Sequence, residues 1–303
     1  MNSSYEIIIF YKYTLIRDPE RFMRFHKELC ILLRLTGRVL IAKEGINGTL
    51  EGKPEAIRAY EERMRKEDGS VGTHGDFSDL WFKHSPGTGS AFPKLKVKVR
   101  DEIVTLGLGK EGDIDPNQVT GTHLKPEQLK EWLTEGVDVT IIDMRNGYEY
   151  NVGHFAGSIN PKLENFRDLA ETLPKLEHLK EKKVLTVCTY GVRCEKASGF
   201  LKQQGFKDVY QLDGGIGSYM KKYPGQDFNG SLFVFDNRML ERFTDEYQVV
   251  GECERCGKKS EAITNCTNKD CHRKMVICDA CQDENVELYC KSSCVVLLEK
   301  ATK

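Results

Sequence analysis

The chain has 303 residues, 30% of them charged and 39% apolar, which excludes a disordered chain and exceeds what one small core needs. No apolar run approaches the roughly 20 residues of a membrane helix, and a net charge of −1 excludes a chain that coats nucleic acid by charge alone. The first apolar run, Ile7–Phe10, is strand-sized and follows Glu6 rather than a basic segment, so no signal peptide is expected and the cytoplasm is the expected location.

In chain order, Tyr5–Tyr13 is apolar and β-branched enough for a strand. Pro19–Leu35 then spaces Phe22, Phe25, Leu29, Leu32 and Leu33 as a helix does. Val39–Ala42 predicts a short strand, Gly45–Gly48 a turn, and Thr49–Glu51 a second strand. Pro54 opens a helix to about Lys66, and Trp81–Lys83 and Leu95–Val99 predict two further strands. The βαββαβ order predicts a ferredoxin-like domain over 1–106, a scaffold that carries no function by itself. Residues 1–100 hold 18 Lys and Arg against 13 Asp and Glu, a modest excess that suits either an RNA-facing surface or an ordinary solvated one.

Residues 107–121 are rich in Gly and Asp and read as a linker. Beyond it, Lys125–Thr134 is helical in pattern, Val137–Met144 and Lys183–Cys188 suit buried strands, Glu195–Gln204 a helix and Val209–Leu212 a strand. Strands alternating with helices predict a parallel α/β domain over 122–225. From 226 to 303 the periodicity fades and cysteines dominate.

The most informative run is Cys188, Thr189, Tyr190, Gly191, Val192, Arg193 and Cys194. A buried strand ends at a cysteine, a short turn with a central glycine follows, and a helix begins at once. Such a turn cups the thiol in backbone N–H groups beside a helix N-terminus. Both features favour negative charge and lower a thiol pKa. Arg193 adds a fixed positive charge. Together these features make Cys188 a reactive thiol rather than the small buried hydrophobe that a lone cysteine usually is. Cys194 suits either a resolving thiol for an oxidised Cys188 or a core position.

Eight of the eleven cysteines lie between Cys253 and Cys294. They fall in four pairs: Cys253 with Cys256, Cys266 with Cys271, Cys278 with Cys281, and Cys290 with Cys294. Two such knuckles hold one tetrahedral zinc, so the segment suits two structural ions with no open position for catalysis. Gly257 suits the tight turn a knuckle needs. The pairs are used in order or interleaved, and His272 stands as an alternative ligand. So short a segment has little core to fold with otherwise.

The loop and its surroundings resemble the rhodanese family. Upstream, Ile142-Asp143-Met144-Arg145, Glu149, Gly153-His154-Phe155 and Gly157-Ser158-Ile159-Asn160 are similar to its D-x-R…E…G-H…G-A-x-N signature, with Ser158 at the usual alanine. Downstream, Gly205-Phe206 and Val209–Ile216 resemble its closing strand and glycine turn. Asp143, at a strand end where open α/β sheets bind ligands, suits orienting the loop. Arg145 and Glu149 read as an internal ion pair, and His154 as part of the scaffold. Cys188 to Arg193 is the six-residue kind of loop, sized for sulfur rather than phosphate.

Over nearly its whole length the chain resembles the rhodanese-domain tRNA uridine(34) hydroxylases. The resemblance rests on Gly37–Thr49, Ala91–Lys98, Glu102–Gly107, Thr122–Leu124, Cys188–Ser198 and the cysteine cluster. Tyr190 stands where that family often has a second glycine. The resemblance implies oxygen-dependent hydroxylation of the wobble uridine to 5-hydroxyuridine with the loop cysteine required, molecular oxygen as co-substrate and an unidentified electron donor. No flavin or nicotinamide fingerprint stands out. Cys188 would either add to C6 of the uracil or take part as a persulfide or sulfenate. The tRNA anticodon stem-loop would be the partner. Its phosphates would meet Lys43, Lys83, Lys94, Lys96, Lys98 and Arg100, and a splayed base would stack on Tyr190 or Trp81 unless Trp81 is core. Two other functions fit the same residues: a sulfurtransferase or persulfide carrier, and a zinc-bearing binding module with a redox-sensing thiol. The expected architecture is a ferredoxin-like domain, a rhodanese-like α/β domain and a Cys-rich zinc-binding C-terminal region.

Overall fold

The computed structural model describes residues 4–67, 74–109, 112, 114–271, 273–282 and 287–295. Lys110, Glu111 and Asp113 of the expected linker, and His272, lie outside the described residues. The chain forms two compact units. The first runs up to Thr120 and includes Phe235–Arg238, and the second holds Gly121–Val234 and the chain from Met239 onward. Among the described residues no helix is long and apolar enough to cross a membrane.

The first unit contains β1 (Tyr5–Tyr13), α1 (Pro19–Leu32), β2 (Thr36–Ala42), β3 (Gly45–Gly52), α2 (Pro54–Arg65), β4 (Lys83–Gly87) and β5 (Leu95–Val99). The sheet order is β4-β1-β3-β2-β5, with β5 parallel to β2 and the other neighbours antiparallel. The βαββαβ arrangement is thus present with a fifth strand added. Alternation along the strands sends Ile8, Phe10, Val39, Ile41, Ile46 and Leu50 into one core with Phe22 and Cys30 of α1 and Tyr60 and Met64 of α2. Asp18 caps α1 by accepting from the Arg21 N–H at 2.9 Å, and a proline opens each helix where no donor is needed.

The glycines at 45 and 48 are not a turn. The two-residue connection is Lys43-Glu44, and Gly45 already pairs with Tyr13 of β1. A Cβ on Gly45 would lie 2.0 Å from the Lys12 carbonyl oxygen, and one on Gly48 would lie 2.5 Å from the Phe10 ring. These glycines therefore serve close packing rather than chain reversal. β4 begins at Lys83 rather than Trp81, and Trp81 is 54% exposed, so it is not core. Pro86 fits β4 because an edge strand can spare one N–H.

The second unit begins with β6 (Thr122–Leu124), α3 (Pro126–Glu135), β7 (Thr140–Asp143), α4 (Gly147–Val152), β8 (Gly153–Phe155) and α5 (Leu169–Thr172). It continues with β9 (Lys183–Val187), α6 (Val192–Gln203), β10 (Asp208–Leu212) and α7 (Gly215–Lys222). Its sheet is wholly parallel, in the order β6-β10-β9-β7. Asp143 lies in register with Val187, so Asp143 and Cys188 stand together at the carboxyl ends of neighbouring strands. That edge is where open parallel sheets hold ligands.

Three short pairings follow: β11 (Phe228–Gly230) on β8, β12 (Leu232–Phe233) with β13 (Leu240–Glu241), and β14 (Ile263–Asn265) with β15 (Lys274–Val276). A short helix, α8, spans Asp279–Gln282. Phe233 and Val276 pack on Val152 of α4 in one apolar cluster, with Met239 and Ile263 around them. The cysteine-rich region thus packs directly on α4 of the same unit.

Candidate active site and metal centres

Cys188 follows the last residue of β9 and has no exposed surface. The Gly191 N–H donates to its sulfur at 3.2 Å. Gly191 takes φ +102°, a conformation that favours glycine, and its carbonyl then accepts the Cys194 N–H at 2.8 Å as α6 starts. The loop is held from below by α7. The Ile216 N–H donates to the Cys188 carbonyl at 2.9 Å and the Gly217 N–H to that of Thr189 at 3.0 Å. A Cβ on Gly215 would lie 2.6 Å from the Cys188 carbonyl oxygen, so only glycine lets α7 approach this closely.

Arg193 is fastened to Glu149 of α4 by two parallel hydrogen bonds of 2.7 and 2.8 Å, and its third contact is Thr189 Oγ1 at 3.0 Å. Glu149 has no exposed surface and is held ionised: burial opposes its charge, but Arg193 beside it outweighs that and keeps its pKa below the usual carboxylate range. The expected ion pair of Arg145 with Glu149 is therefore not formed. Arg145 instead binds Asp143 at 2.6 Å and the Gly153 carbonyl, with both side chains fully buried. Arg145 and Asp143 are neighbours on the strand end, so the shorter reach wins, and Glu149 is left to the loop. Asp143 accordingly orients Arg145 rather than touching the loop. His154 stacks flat on Tyr150 with ring centres 4.1 Å apart and bonds the Tyr150 carbonyl at 2.9 Å, a scaffold position.

Electrostatics separate the two thiols. Burial raises the Cys188 pKa, but the hydrogen bond from the Cys194 side chain, the Arg193 charge and the amides of Cys194 and Arg193 outweigh it, bringing it down to about 6. Cys194, also without exposed surface, is driven well above the ordinary thiol value by burial and by the neighbouring Cys188 sulfur. The two shifts run in opposite directions, so negative charge is favoured on Cys188 over Cys194.

Tyr190 is 8% exposed, and its hydroxyl donates to Glu241 of β13. The ring is tied down rather than presented as a free stacking platform. Nothing local in the sequence marks Glu241 as a partner. Also unforeseen is the clamp on α6 from the other side, where His123 sits 3.5 Å from Glu195 and 3.8 Å from Asp213. Hydrogen bonds to Asp213 and Glu195 push the His123 pKa up to about 10 against the effect of burial.

The basic residues of the first unit divide. Lys94, Lys96, Lys98 and Arg100 recur at every second position on and around edge strand β5 and are exposed, as is Lys43. Arg38 of β2 lies opposite Lys96 and extends the same row. Lys83 is only 4% exposed and stands opposite Ile9, so it is not available to a phosphate in this structure.

The eight clustered cysteines form two sets, each with all four sulfurs within 4.8 Å of one another. One is Cys253, Cys256, Cys278 and Cys281; the other is Cys266, Cys271, Cys290 and Cys294. The pairs are therefore interleaved, the first with the third and the second with the fourth. Sulfur separations of 3.6 Å for Cys256–Cys278, 3.4 Å for Cys271–Cys290 and 3.5 Å for Cys290–Cys294 are far too long for disulfides. They approach the edge of about 3.8 Å that a tetrahedron with metal–sulfur bonds of about 2.3 Å requires. Gly257 takes φ +74° and its N–H bonds the Cys253 carbonyl at 2.9 Å, which is the knuckle turn. Each set reaches four thiols without His272. Both sets can hold metal ions.

Comparison with known proteins divides the chain in three. Residues 5–103 match the UPF0176 acylphosphatase like domain, residues 125–222 a rhodanese-like domain, and residues 229–295 a rhodanase C-terminal domain. A tRNA uridine(34) hydroxylase from Cytophaga hutchinsonii is 40% identical over 297 residues, covering 98% of this chain and 91% of its own. One from Corynebacterium urealyticum is 41% identical over 281 residues, covering 91% and 92%. Among solved structures, a rhodanese-related protein from Thermoplasma volcanium matches 33% of this chain and 92% of its own at 29% identity and a TM-score of 0.29. With the likeness to the hydroxylases spanning both units and the cysteine-rich segment, the chain belongs to the tRNA uridine(34) hydroxylase family.

Proposed function

We propose that this protein hydroxylates the wobble uridine of tRNA at C5 in an oxygen-dependent reaction that requires Cys188. The observation that carries the reading is the Cys188 sulfur accepting the Gly191 N–H at 3.2 Å in the loop that also holds Arg193, in a chain 40% identical to a named tRNA uridine(34) hydroxylase. A thiolate adding to C6 of uracil makes C5 electron-rich, which is what attack on molecular oxygen at that carbon needs. Exposed Lys43, Lys94, Lys96, Lys98 and Arg100 would hold the anticodon stem-loop through its phosphates. The two four-thiol sets would bind one structural zinc each, with no ligand position left open. A cytoplasmic location accords with a tRNA substrate and with the reduced thiols.

Mass spectrometry of tRNA nucleosides tests the reading directly. Cells lacking the protein should lose 5-hydroxyuridine and its derivatives, wild type should restore them and Cys188→Ser should not. Unchanged nucleosides after deletion would overturn it. Sulfide release from thiosulfate by the purified protein, with tRNA unaltered, would point to sulfur transfer instead.

A further inference from the structure

The sheet of the first unit has two faces of different character. Ile8, Phe10, Val39 and Ile41 point into the core beneath the helices, so their strand neighbours point the other way. Cross-strand pairing sets those neighbours in rows. Lys98, Leu40, Asn47 and Tyr11 form one row, and Lys96 stands opposite Arg38 in the next. Tyr11 meets Tyr13 edge-on with ring centres 6.3 Å apart, as two residues on one face do. Ala91 and Phe92 cover Ile7 and Ile9 at one end of this face, and at the other the Ile103 carbonyl accepts the Asn47 amide at 3.1 Å. Between them Tyr11 and Leu40 are half-buried, while Arg38, Lys96 and Lys98 are exposed. Glu51 is the one acid among the described strand residues of this face. It is 1% exposed, because it accepts the N–H groups of Thr88, Gly89 and Ala91. The open part of the face is therefore cationic, with a tyrosine ring in the same rows.

We propose that this face binds unpaired nucleotides of the tRNA anticodon loop, with one base stacked on Tyr11 and the phosphates on Arg38, Lys96 and Lys98. The choice of RNA rests on the hydroxylase reading above. A ring on an inner strand beside a row of cations suits single-stranded RNA, because stacking accepts any base and the cations follow the backbone. A duplex cannot use the ring, since its bases already stack on one another. β1 and β5 are three strand spacings apart, about 14 Å, which a run of about two or three nucleotides spans from ring to cations. Trp81 is more exposed, but it precedes β4 on the opposite side of β1 from β5 and shares no row with these cations. An acidic peptide would meet the same charges without using the ring.

The test measures binding of an anticodon stem-loop RNA, and of a blunt RNA duplex of equal length, to the full metal-loaded chain. Tyr11→Leu, which keeps apolar bulk on the strand but loses the ring, should weaken stem-loop binding about tenfold or more and leave duplex binding unchanged. Tyr11→Phe should bind as wild type does. Arg38→Gln with Lys96→Gln should weaken both RNAs and lower the slope of log K against log salt by roughly one and a half to two. With 5-iodouridine placed at each loop position in turn, ultraviolet cross-linking and peptide mass spectrometry should find Tyr11 joined to the RNA. Equal losses for stem-loop and duplex in Tyr11→Leu, no loss at all, or a loss in Tyr11→Phe as large as in Tyr11→Leu would each overturn the proposal. So would cross-links that fall on Trp81 and not on Tyr11, or competition by polyglutamate as effective as by single-stranded RNA. 5-Hydroxyuridine formation in tRNA is scored separately. A platform that fails leaves the hydroxylase reading standing, and a chain that binds the loop on Tyr11 but never modifies it overturns that reading alone.

Discussion

The Tyr190 hydroxyl donates to Oε2 of Glu241, tying the thiol loop to a strand 51 residues farther along the chain. That strand, β13, pairs with β12, whose Phe233 packs on α4 together with Val276. The loop is therefore braced on both flanks, by Glu149 of α4 through Arg193 and by Glu241 through Tyr190.

Tyr190→Phe removes one hydrogen bond to a carboxylate while keeping the ring, and should cost about 1–2 kcal/mol. The loss is local, so opening of the loop should become roughly five- to thirtyfold more frequent. Cys188 has no exposed surface, so its alkylation depends on such opening. Iodoacetamide labelling of Cys188 should accelerate by that factor in Tyr190→Phe and likewise in Glu241→Ala, which removes the acceptor. An unchanged labelling rate in both variants would show that the contact does not restrain the loop.

The Arg193–Glu149 pair sets the charge of the site. Glu149→Ala would leave a buried guanidinium without its counter-ion and should destabilise the second unit by about 3–5 kcal/mol in chemical denaturation. The Cys188 pKa of about 6 lies below the 9.0 of an unperturbed thiol. Its ionisation therefore stabilises the fold fully above about pH 9, and that contribution is lost as pH falls through 6. Thiolate absorbance near 240 nm, taken as wild type minus Cys188→Ser, should titrate near pH 6. In Arg193→Lys, which keeps the charge but loses the fork to Glu149, the midpoint should move toward the ordinary thiol range. A midpoint that stays in place would assign the shift to the backbone amides and Cys194 instead.

How far the sequence disclosed this arrangement depends on chain separation. The thiol loop was legible because strand, cysteine, glycine turn, arginine and helix are consecutive. Both helices of the first unit were legible from Pro19 and Pro54 and their apolar spacing. The partner of Arg193 was not, because Arg145 and Glu149 are close in sequence while the pairing is decided by which strand ends meet in space. Gly45 and Gly48 misled for a related reason: glycine marks either a reversal or a close approach, and only the position of β1 tells which. Glu241 carries no local pattern at all.

The row on β5 yields a prediction with a salt signature. Lys96 and Lys98 project to the same side of an edge strand, where charge also discourages strand addition by another chain. If they serve phosphate, Lys96→Glu with Lys98→Glu should weaken tRNA binding, and the slope of log K against log salt should fall by roughly two. Lys83→Gln, at a buried position, should leave the slope unchanged. Equal slopes for the Lys96/Lys98 variant and wild type would reduce the row to edge protection.

The interleaving of the cysteine pairs can be read from metal content alone. Wild type should carry two zinc ions per chain by elemental analysis. Cys253 and Cys278 share one set, whereas Cys266 belongs to the other. Cys253→Ser with Cys278→Ser should therefore lose one ion, and Cys253→Ser with Cys266→Ser should lose both. Pairs used in chain order would give the reverse, because Cys253 and Cys266 would then share an ion and Cys278 would not. Val276 and Ile277 lie just before Cys278, and Val276 packs on Val152 of α4. Loss of the ion at Cys253 should for that reason also loosen α4, and with it the Glu149 anchor of the thiol loop. Hydrogen exchange at α4 amides should rise in Cys253→Ser with Cys278→Ser, and should rise less when the second set alone is broken by Cys271→Ser with Cys290→Ser.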